Sequence, residues 1–473
     1  MEVKQIYTGC LAQGAYYIES NGEAAIVDPL REVQPYIDLA NEQGATIKYV
    51  LETHFHADFV SGHLTLSEKT GAPIVFGPNA APDFDTHIAT DGERLTLGDV
   101  EIEVLHTPGH TMESTTYLLR NEDGDPHAIF TGDTLFLGDV GRPDLAQKSE
   151  LTIEDLAGHL YDSLRNKLMT LPDDTIVYPG HGAGSACGKN MSKETVGTLG
   201  DQKANNYALR VDMTKEEFVK EVTDGLLPPP GYFPMNVALN KRGYDSIDRV
   251  MERGTQALSP EAFEAAANQT EAVMLDIRST AEFVERHIPR STFIGLAGGF
   301  APWVGAMIVD VKQPILLVAN DDQIEEAITR LSRVGFDNIL GYLEGGLDAW
   351  VEAGKDTDDI QTVDAEAFAN VVNATPEAKV VDVRKDGEFQ SERVENAIHA
   401  SLEYLANNMH LIPKDEPFYL HCAGGYRSLI AHSMLKARGY HNAIDVLGGF
   451  NAIRATDAPC TEYVCPSTLW PSD

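Results

Sequence analysis

The stretch Thr53-His54-Phe55-His56-Ala57-Asp58-Phe59-Val60-Ser61-Gly62-His63 constrains this chain more than any other. An apolar, strand-like run from Ile47 to Leu51 leads into it, and Leu64 to Thr70 reads as a helix behind it. The histidines and Asp58 therefore sit on a turn at the C-terminal end of a strand, where open α/β sheets place their chemistry. Two imidazoles and a carboxylate so close together can converge on one metal ion, each giving a lone pair. The bland alternative is a polar loop with chance histidines, and the downstream sequence argues against it.

Further donors recur at intervals expected of a site assembled by a fold. Thr107-Pro108-Gly109-His110-Thr111 follows the strand-like run Val100 to Leu105. Phe130-Thr131-Gly132-Asp133-Thr134 ends another apolar run, and Val177-Tyr178-Pro179-Gly180-His181-Gly182 follows Ile176. Each candidate follows a β-rich stretch and sits beside Gly or Pro. This ordered series resembles the metallo-β-lactamase superfamily, and Asp28 in Ile26-Val27-Asp28-Pro29 fits that family's first motif. The resemblance covers roughly residues 1–245.

Length and charge set outer bounds. A chain of 473 residues should hold two or three domains, and 43% apolar residues can fill their cores. No stretch approaches the apolar length of a membrane span, so no membrane association is expected. Met1 to Ser20 lacks the basic start and apolar core of a signal peptide. Five scattered cysteines do not make a disulfide framework, so a cytoplasmic setting is expected. The net charge of −37 would repel nucleic acid, which excludes it as a partner.

Short strands are expected at Ile6-Tyr7, Ala15 to Ile18 and Ala24 to Val27. Pro35 to Gln43 reads as a helix, with proline in its first turn and Gly44 just past its end. Thr195 to Arg210 and Lys215 to Asp224 read as helices outside the site. Pro228-Pro229-Pro230-Gly231 breaks the chain, and a loop-rich stretch runs to about Gly254 as the expected linker, whose bounds against the flanking domains are 246–257.

An internal repeat fills the remainder. Val273-Met274-Leu275-Asp276-Ile277-Arg278 with Glu282-Phe283 recurs as Val380-Val381-Asp382-Val383-Arg384 with Glu388-Phe389. Tyr342-Leu343-Glu344-Gly345-Gly346-Leu347 recurs as Asp445-Val446-Leu447-Gly448-Gly449-Phe450. Each unit alternates strands and helices, which indicates a small α/β domain with a parallel sheet. Both units, 258–357 and 358–473, resemble rhodanese domains. The expected fold class is therefore α/β multidomain: a metallo-β-lactamase αββα sandwich followed by two rhodanese-like α/β domains.

Metallo-β-lactamase-fold members with two metals use a His at the position of Phe59, and an apolar ring cannot ligate. The resemblance thus implies one metal, held by His54, His110 and Asp133, a facial set that suits non-haem Fe(II). Spacing alone does not separate iron from zinc. Within the superfamily the chain looks most like persulfide dioxygenases fused to rhodanese domains, both at Thr53 to His63 and at Gly138-Asp139-Val140-Gly141-Arg142-Pro143-Asp144. That resemblance puts Arg142 near the site, as a group behind the ligands or an anchor for substrate anions. His56, Asp58 and His181 become outer groups, or the remnant of a second metal site. Cys187, just beyond His181, could face the substrate. Animal-type persulfide dioxygenases carry a Tyr two residues after the His matching His181, and here that residue is Ala183, so their substrate preference does not carry over.

Phe418-Tyr419-Leu420-His421 reads as a buried strand that leads into Cys422-Ala423-Gly424-Gly425-Tyr426-Arg427, and Ser428 to Ala437 reads as a helix. A Cys at such a turn faces backbone N–H groups and the positive helix end, which favour thiolate. The glycines let the loop curl so that its amides point inward, cradling a persulfide on Cys422, and Arg427 adds a cation. This resembles the rhodanese loop. Aligning the two Gly-Gly pairs puts Ala319 where Cys422 stands and Ile324 where Arg427 stands, so the first repeat should carry no nucleophile. Cys10 shows no motif. Cys460 and Cys465 could form a redox pair, though unpaired thiols fit as well.

The implied activity is oxidation of a low-molecular-weight persulfide by O2 to sulfite at one Fe(II). It is coupled to sulfur transfer through Cys422 that makes or uses thiosulfate, in sulfide detoxification. Partners are then small molecules, with a homo-oligomer left open. Two other readings stand beside it: a glyoxalase II-type dinuclear thioester hydrolase, and a non-oxidative carrier of sulfane sulfur.

Overall fold

In a computed structural model, which describes residues 1–145 and 151–465, the chain forms two compact units. The last residues of the third expected domain, 466–473, lie outside the described ones. The first unit comprises Met1–Val250 with Val309–Val311 and Thr329–Asp337; the second takes the rest.

The first unit is built on two six-stranded sheets. One runs in sequence order: β1 (Glu2–Thr8), β2 (Gln13–Ser20), β3 (Glu23–Val27), β4 (Thr46–Glu52), β5 (Ile74–Phe76) and β6 (His87–Ile88). The other holds β7 (Arg94–Leu97), β8 (Val100–His106), β9 (Thr115–Arg120), β10 (Pro126–Gly132), β11 (Ile176–Pro179) and β12 (Gly197–Thr198), with β12 and β7 at its edges.

Side-chain alternation explains the layering, because successive residues of a strand face opposite sides. On β2, Tyr16 and Ile18 join the cluster between the sheets, with Leu51, Ile102, Val104, Tyr117 and Phe130. Their neighbour Tyr17 points outward, into a cluster with Tyr36, Ala40 and Leu66 from the helices Gln34–Glu42 and His63–Thr70. On β10, Ala128 and Phe130 face in, while Ile129 faces out to Leu160, Phe218 and Val222. The result is a helix–sheet–sheet–helix sandwich.

Strand direction then gathers the site. β8 and β10 are both antiparallel to β9, and β11 is parallel to β10, so β8, β10 and β11 end at one edge. His110, Asp133 and His181 follow those three ends. β3 and β4 are parallel and deliver Asp28 and His54 in the same way. The register of β10 against β11 shifts between Phe130 and Gly132, a bulge that re-aims the residues at the strand's end.

Two expectations fail here. Thr195 to Arg210 is not one helix: Gly197–Thr198 pairs as a strand, the helix spans Leu199–Asn205, and a single 3-10 turn covers Tyr207–Leu209. Asn206 stops the helix because its buried amide donates to the carbonyls of Phe136 and Asp139 while its oxygen accepts from the Ala208 N–H. The stretch up to Gly254 is not loop-rich: it holds the helices Phe233–Arg242 and Ile247–Gly254, the latter inside the expected linker. The first opens just after Pro228-Pro229-Pro230-Gly231 and takes Pro234 into its opening turn, where a missing N–H costs no hydrogen bond.

The second unit contains two five-stranded sheets with the same topology. The first is made of β13 (Ala257–Leu258), β14 (Val273–Asp276), β15 (Thr292–Phe293), β16 (Ile315–Val318) and β17 (Ile339–Leu343), in the order β13-β17-β16-β14-β15. The second is made of β18 (Thr362–Val363), β19 (Lys379–Asp382), β20 (Ile398–His399), β21 (Phe418–His421) and β22 (Ala443–Val446), in the order β18-β22-β21-β19-β20. Every pairing in both is parallel.

The repeated Asp-x-Arg is a buried ion pair. In the second copy the Arg384 guanidinium meets Asp382 at 2.6 Å and donates to the Glu392 carbonyl; in the first, Arg278 does the same with Asp276 and the Arg286 carbonyl. Among the described residues no helix is long and apolar enough to cross a membrane.

Candidate metal centre and sulfur loop

The metal-facing histidines are oriented from behind. His110 Nδ1 lies 2.8 Å from the Arg142 carbonyl, which can only accept, so Nδ1 carries the proton and Nε2 keeps its lone pair. His181 Nδ1 donates in the same way to the Ala12 carbonyl at 3.2 Å. His54 Nδ1 lies 3.0 Å from Thr53 Oγ1, whose own proton goes to Asp28 Oδ2 at 2.8 Å; the hydroxyl therefore accepts from the imidazole. All three rings present Nε2 to Asp133. Oδ2 of Asp133 stands 3.9 Å from His54 Nε2 and 3.5 Å from His110 Nε2, and Oδ1 stands 3.6 Å from His181 Nε2.

These groups are buried, and several have no protein partner. Both Asp133 oxygens, Asp58 Oδ1 and His181 Nε2 lack hydrogen bonds. Unsatisfied buried acceptors cost enough that they ordinarily mark a ligand. Burial, with His56, His110 and His181 nearby, holds the His54 pKa well below its ordinary value, so its lone pair is free. His54, His110 and Asp133 bring one donor atom each within 4.8 Å of one another. The residues fit a metal ion, with two neutral imidazoles and one carboxylate on one side.

A second group of donors lies against the first. His56, Asp58 and His181 converge, as do Asp133, His181 and Cys187. His181 Nε2 is 3.3 Å from Asp58 Oδ2. Burial opposes charge on His181, but Asp58 and Asp133 outweigh it and raise its pKa well above the ordinary value. His56 also reaches back to Asp28 at 3.1 Å and Glu52 at 3.5 Å; against burial, Asp28, Glu52 and Asp58 lift its pKa to about 9. The buried Phe59 ring lies 4.2 Å from the His56 ring. Burial, with Asp58 and Asp133 close by, pushes the Cys187 thiol up to about 12.

Gly138 to Asp144 fastens these parts together. The Arg142 guanidinium is paired bidentately with Asp144, at 2.6 and 2.7 Å, and donates to the carbonyls of Ala186 and Leu227. Its charge is thus neutralised locally, and what it offers the site is the carbonyl that orients His110. Its own N–H donates to the Cys187 carbonyl, while Asp139 accepts from the N–H groups of Lys189 and Asn190.

Two contributors escaped the sequence reading. Glu52 is a buried carboxylate at the end of β4, directly after the buried Val50 and Leu51, an anomaly that could have marked it. Asn240, buried in the helix Phe233–Arg242, donates to the carbonyls of His56 and Phe59 and accepts from the Ser61 N–H, each at 2.8 Å. Nothing in the local sequence signals that role.

In the second rhodanese-like copy, Cys422 follows β21 directly and is buried, and the helix Tyr426–Lys436 starts behind the loop. Gly425 has φ +103° and aims its N–H at Cys422 Sγ, 3.1 Å away. Glu388 holds Arg427 bidentately at 2.7 and 2.9 Å. The late Gly-Gly explains itself here. The N–H groups of Phe450 and Asn451 donate to the carbonyls of Cys422 and Ala423, and a Cβ on Gly449 would stand 2.5 Å from the Cys422 oxygen. In the first copy Ala319 directly follows β16, the place Cys422 has after β21, and the helix Ile324–Arg333 follows. None of the five cysteines, Cys10, Cys460 and Cys465 included, forms a disulfide.

Comparison with known proteins agrees with these two assemblies. The metallo-β-lactamase superfamily model matches residues 8–181, and the rhodanese-like domain model matches residues 259–353 and 364–456. The chain belongs to the metallo-β-lactamase superfamily and carries two rhodanese-like domains behind that fold. Among curated relatives, human mitochondrial persulfide dioxygenase ETHE1 is 32% identical, over 46% of this chain and 79% of that protein. The cytoplasmic hydroxyacylglutathione hydrolase of Arabidopsis thaliana is 35% identical, over 38% of this chain and 67% of that protein. The solved structure of a metallo-β-lactamase from Staphylococcus aureus subsp. aureus COL covers 72% of this chain and 98% of its own, with 30% identity and a TM-score of 0.63.

The Gly449 contact yields an expected outcome. Gly449 has φ +57°, so Gly449→Ala adds both backbone strain and the Cβ collision, and should destabilise its domain by about 1–3 kcal/mol. Thermal melting would show the loss, and intact-mass measurement should show Cys422 no longer retaining sulfur from thiosulfate.

Proposed function

We propose that the protein oxidises a low-molecular-weight persulfide with O2, R-S-SH + O2 + H2O giving R-SH, sulfite and two protons, and that its last domain moves sulfane sulfur through Cys422. The observation that carries this is the set His54, His110 and Asp133, with both Asp133 oxygens unsatisfied and both imidazoles presenting Nε2. Kinship with a persulfide dioxygenase and the presence of rhodanese-like domains on the same chain support it.

One Fe(II) per chain is the proposed cofactor; bound there, it supplies the one-electron route to O2 that closed-shell organic groups lack. The protein's own part is orientation. Arg142 and Thr53 fix the tautomers of His110 and His54 through Nδ1, and Asp133 supplies negative charge. The Cys187 thiol, held protonated by burial and two carboxylates, offers an S–H beside Asp133 to the terminal sulfur of the substrate without repelling its anion. His181 and Asp58 form an ion pair, 3.3 Å apart, that can take and return a proton next to the ligands.

At the second site, the Cys422 thiolate attacks the outer sulfur of R-S-SH, the S–S bond breaks and R-SH leaves; the resulting Cys422 persulfide is cradled by the loop Ala423, Gly424, Gly425 and Tyr426 and balanced by Arg427. Sulfite attacks the outer sulfur, the S–S bond breaks, thiosulfate leaves and the Cys422 thiolate returns. Run in reverse, thiosulfate loads Cys422 and supplies the persulfide. Placing both sites on one chain raises the local concentration of each product near the other site.

The competing reading is a dinuclear thioester hydrolase. Phe59 removes one donor, but Cys187 brings another beside Asp133 and His181. Metal content decides between them. Purified protein should hold close to one iron per chain, and His110→Ala should lose both the iron and persulfide-dependent oxygen uptake; two zinc ions per chain with thioesterase activity would sink the proposal. For the coupled step, Cys422→Ser should keep consuming oxygen from a supplied persulfide. Anion analysis at equal oxygen consumed should then show its product moved from thiosulfate to sulfite if the forward direction holds.

A further inference from the structure

The first rhodanese-like copy has Ala319 where Cys422 stands yet keeps a complete fold, and its residues 293–298 touch the helix that starts at the sulfur loop. Tyr426, the loop residue next to Arg427, donates its hydroxyl proton to the Gly295 carbonyl of the first copy at 2.7 Å. Its ring lies directly over Gly298: a Cβ there would stand 2.4 Å from Tyr426 Cζ and 2.7 and 2.8 Å from its Cε2 and Cε1. Gly295 approaches the same ring, with a notional Cβ 3.3 Å from Cε2. The Phe293 ring meets Tyr426 edge-on at 6.1 Å. Two helical turns further on, the Phe293 N–H donates to Ser433 Oγ at 3.0 Å. Residues 426 and 433 share one face of the helix Tyr426–Lys436, so residues 293–298 hold the helix that starts at the loop at both places.

The seat itself is rigid. The Ile294 N–H bonds to the Asp276 carbonyl and the Leu296 N–H to the Ile277 carbonyl, which fixes Gly295 between two ladder bonds of the first copy's sheet. The plug is equally specific. The position equivalent to Tyr426 in the first copy is Gln323, so only the copy with Cys422 carries the tyrosine.

We propose that the nucleophile-free copy is the positioning element of the sulfur loop: Gly295 and Gly298 seat Tyr426, and the seated Tyr426 keeps Gly425 curled so that its N–H meets the sulfur of Cys422. Tyr426 is here a positioning residue, adjacent in the chain to Gly425, whose N–H is 3.1 Å from Sγ. A hydrogen bond to sulfur favours thiolate over thiol. The seat therefore sets where the Gly425 N–H stands against the sulfur of Cys422. The idea rests on Cys422 being the sulfur-carrying thiol, but the loop geometry can be tested without sulfur transfer.

The test uses the full chain with Gly298→Ala, Tyr426→Phe, Tyr426→Ala and the double variant Gly298→Ala/Tyr426→Ala. The rate of Cys422 alkylation by iodoacetamide, followed by mass spectrometry, is measured against pH beside the thiosulfate sulfurtransferase kcat and KM. Gly298→Ala and Tyr426→Phe should each move the alkylation midpoint to higher pH and lower kcat by up to about tenfold, the scale of one lost hydrogen bond, with little change in KM. In the Tyr426→Ala background the added methyl meets no ring, so Gly298→Ala should have no further effect. A variant that merely unfolds a fraction of the molecules would lower kcat without shifting the midpoint. Wild-type alkylation profiles in both single variants, or an undiminished effect of Gly298→Ala without the ring, would overturn the proposal. If wild-type Cys422 takes up no sulfur while the alkylation midpoints still shift, the sulfurtransferase reading fails and the seat stands.

Discussion

Everything at the metal centre depends on hydrogen bonds made on its far side. An imidazole has two nitrogens, and a metal needs the lone pair of one; the protein decides which by giving the other an acceptor. Carbonyls of Ala12 and Arg142 and the Thr53–Asp28 relay do this for His181, His110 and His54. These acceptors come from the turn before β2, the ends of β3 and β4 and the loop after β10, so the tautomers are set by the sandwich as a whole. The unsatisfied oxygens of Asp133 at the focus are the counterpart of that order. A buried carboxylate without partners is a cost that the packing around it must sustain.

The two rhodanese-like copies have divided a task that one sheet order could serve twice. Both keep the buried Asp–Arg pair and a Gly-Gly turn, the features that make the fold. They differ at the residues that follow the matching strands: Cys422, with Gly425 and Arg427 beyond it, after β21 in one, Ala319 after β16 in the other. Under the proposed sulfur transfer, a copy without the cysteine is free of the demand of binding a substrate, and its surface can be shaped to its neighbour.

Much of this was legible in the sequence because it is carried by short-range pattern. Donors that follow apolar runs and sit beside Gly or Pro mark strand ends, and His54, His110, Asp133 and His181 do converge. The repeated Asp-x-Arg and Gly-Gly likewise located two copies of one fold. What stayed hidden depends on partners far along the chain. Asn240 looks like any polar helical residue, and only the fold reveals that it braces His56, Phe59 and Ser61. The helix Phe233–Arg242 was missed because prolines before it suggested a loop. The Arg142 guanidinium is neutralised by its near neighbour Asp144, and it is the Arg142 carbonyl that reaches His110. Tyr426 was read as part of a cradle, and its contact with Gly295 has no sequence signature at all.

The brace from Asn240 bears on where this polypeptide can be divided. The conserved core of the superfamily, as the family model matches it, closes at residue 181, after the last histidine. The turn that carries the first histidines, however, takes its backbone hydrogen bonds from a helix that begins at Phe233. A fragment cut at the family boundary would contain the donors His54, His110, Asp133 and His181, yet leave the carbonyls of His56 and Phe59 without that donor. The working module is therefore longer than the recognisable one, and its proper end lies beyond Arg242, close to where the compact unit itself closes at Val250.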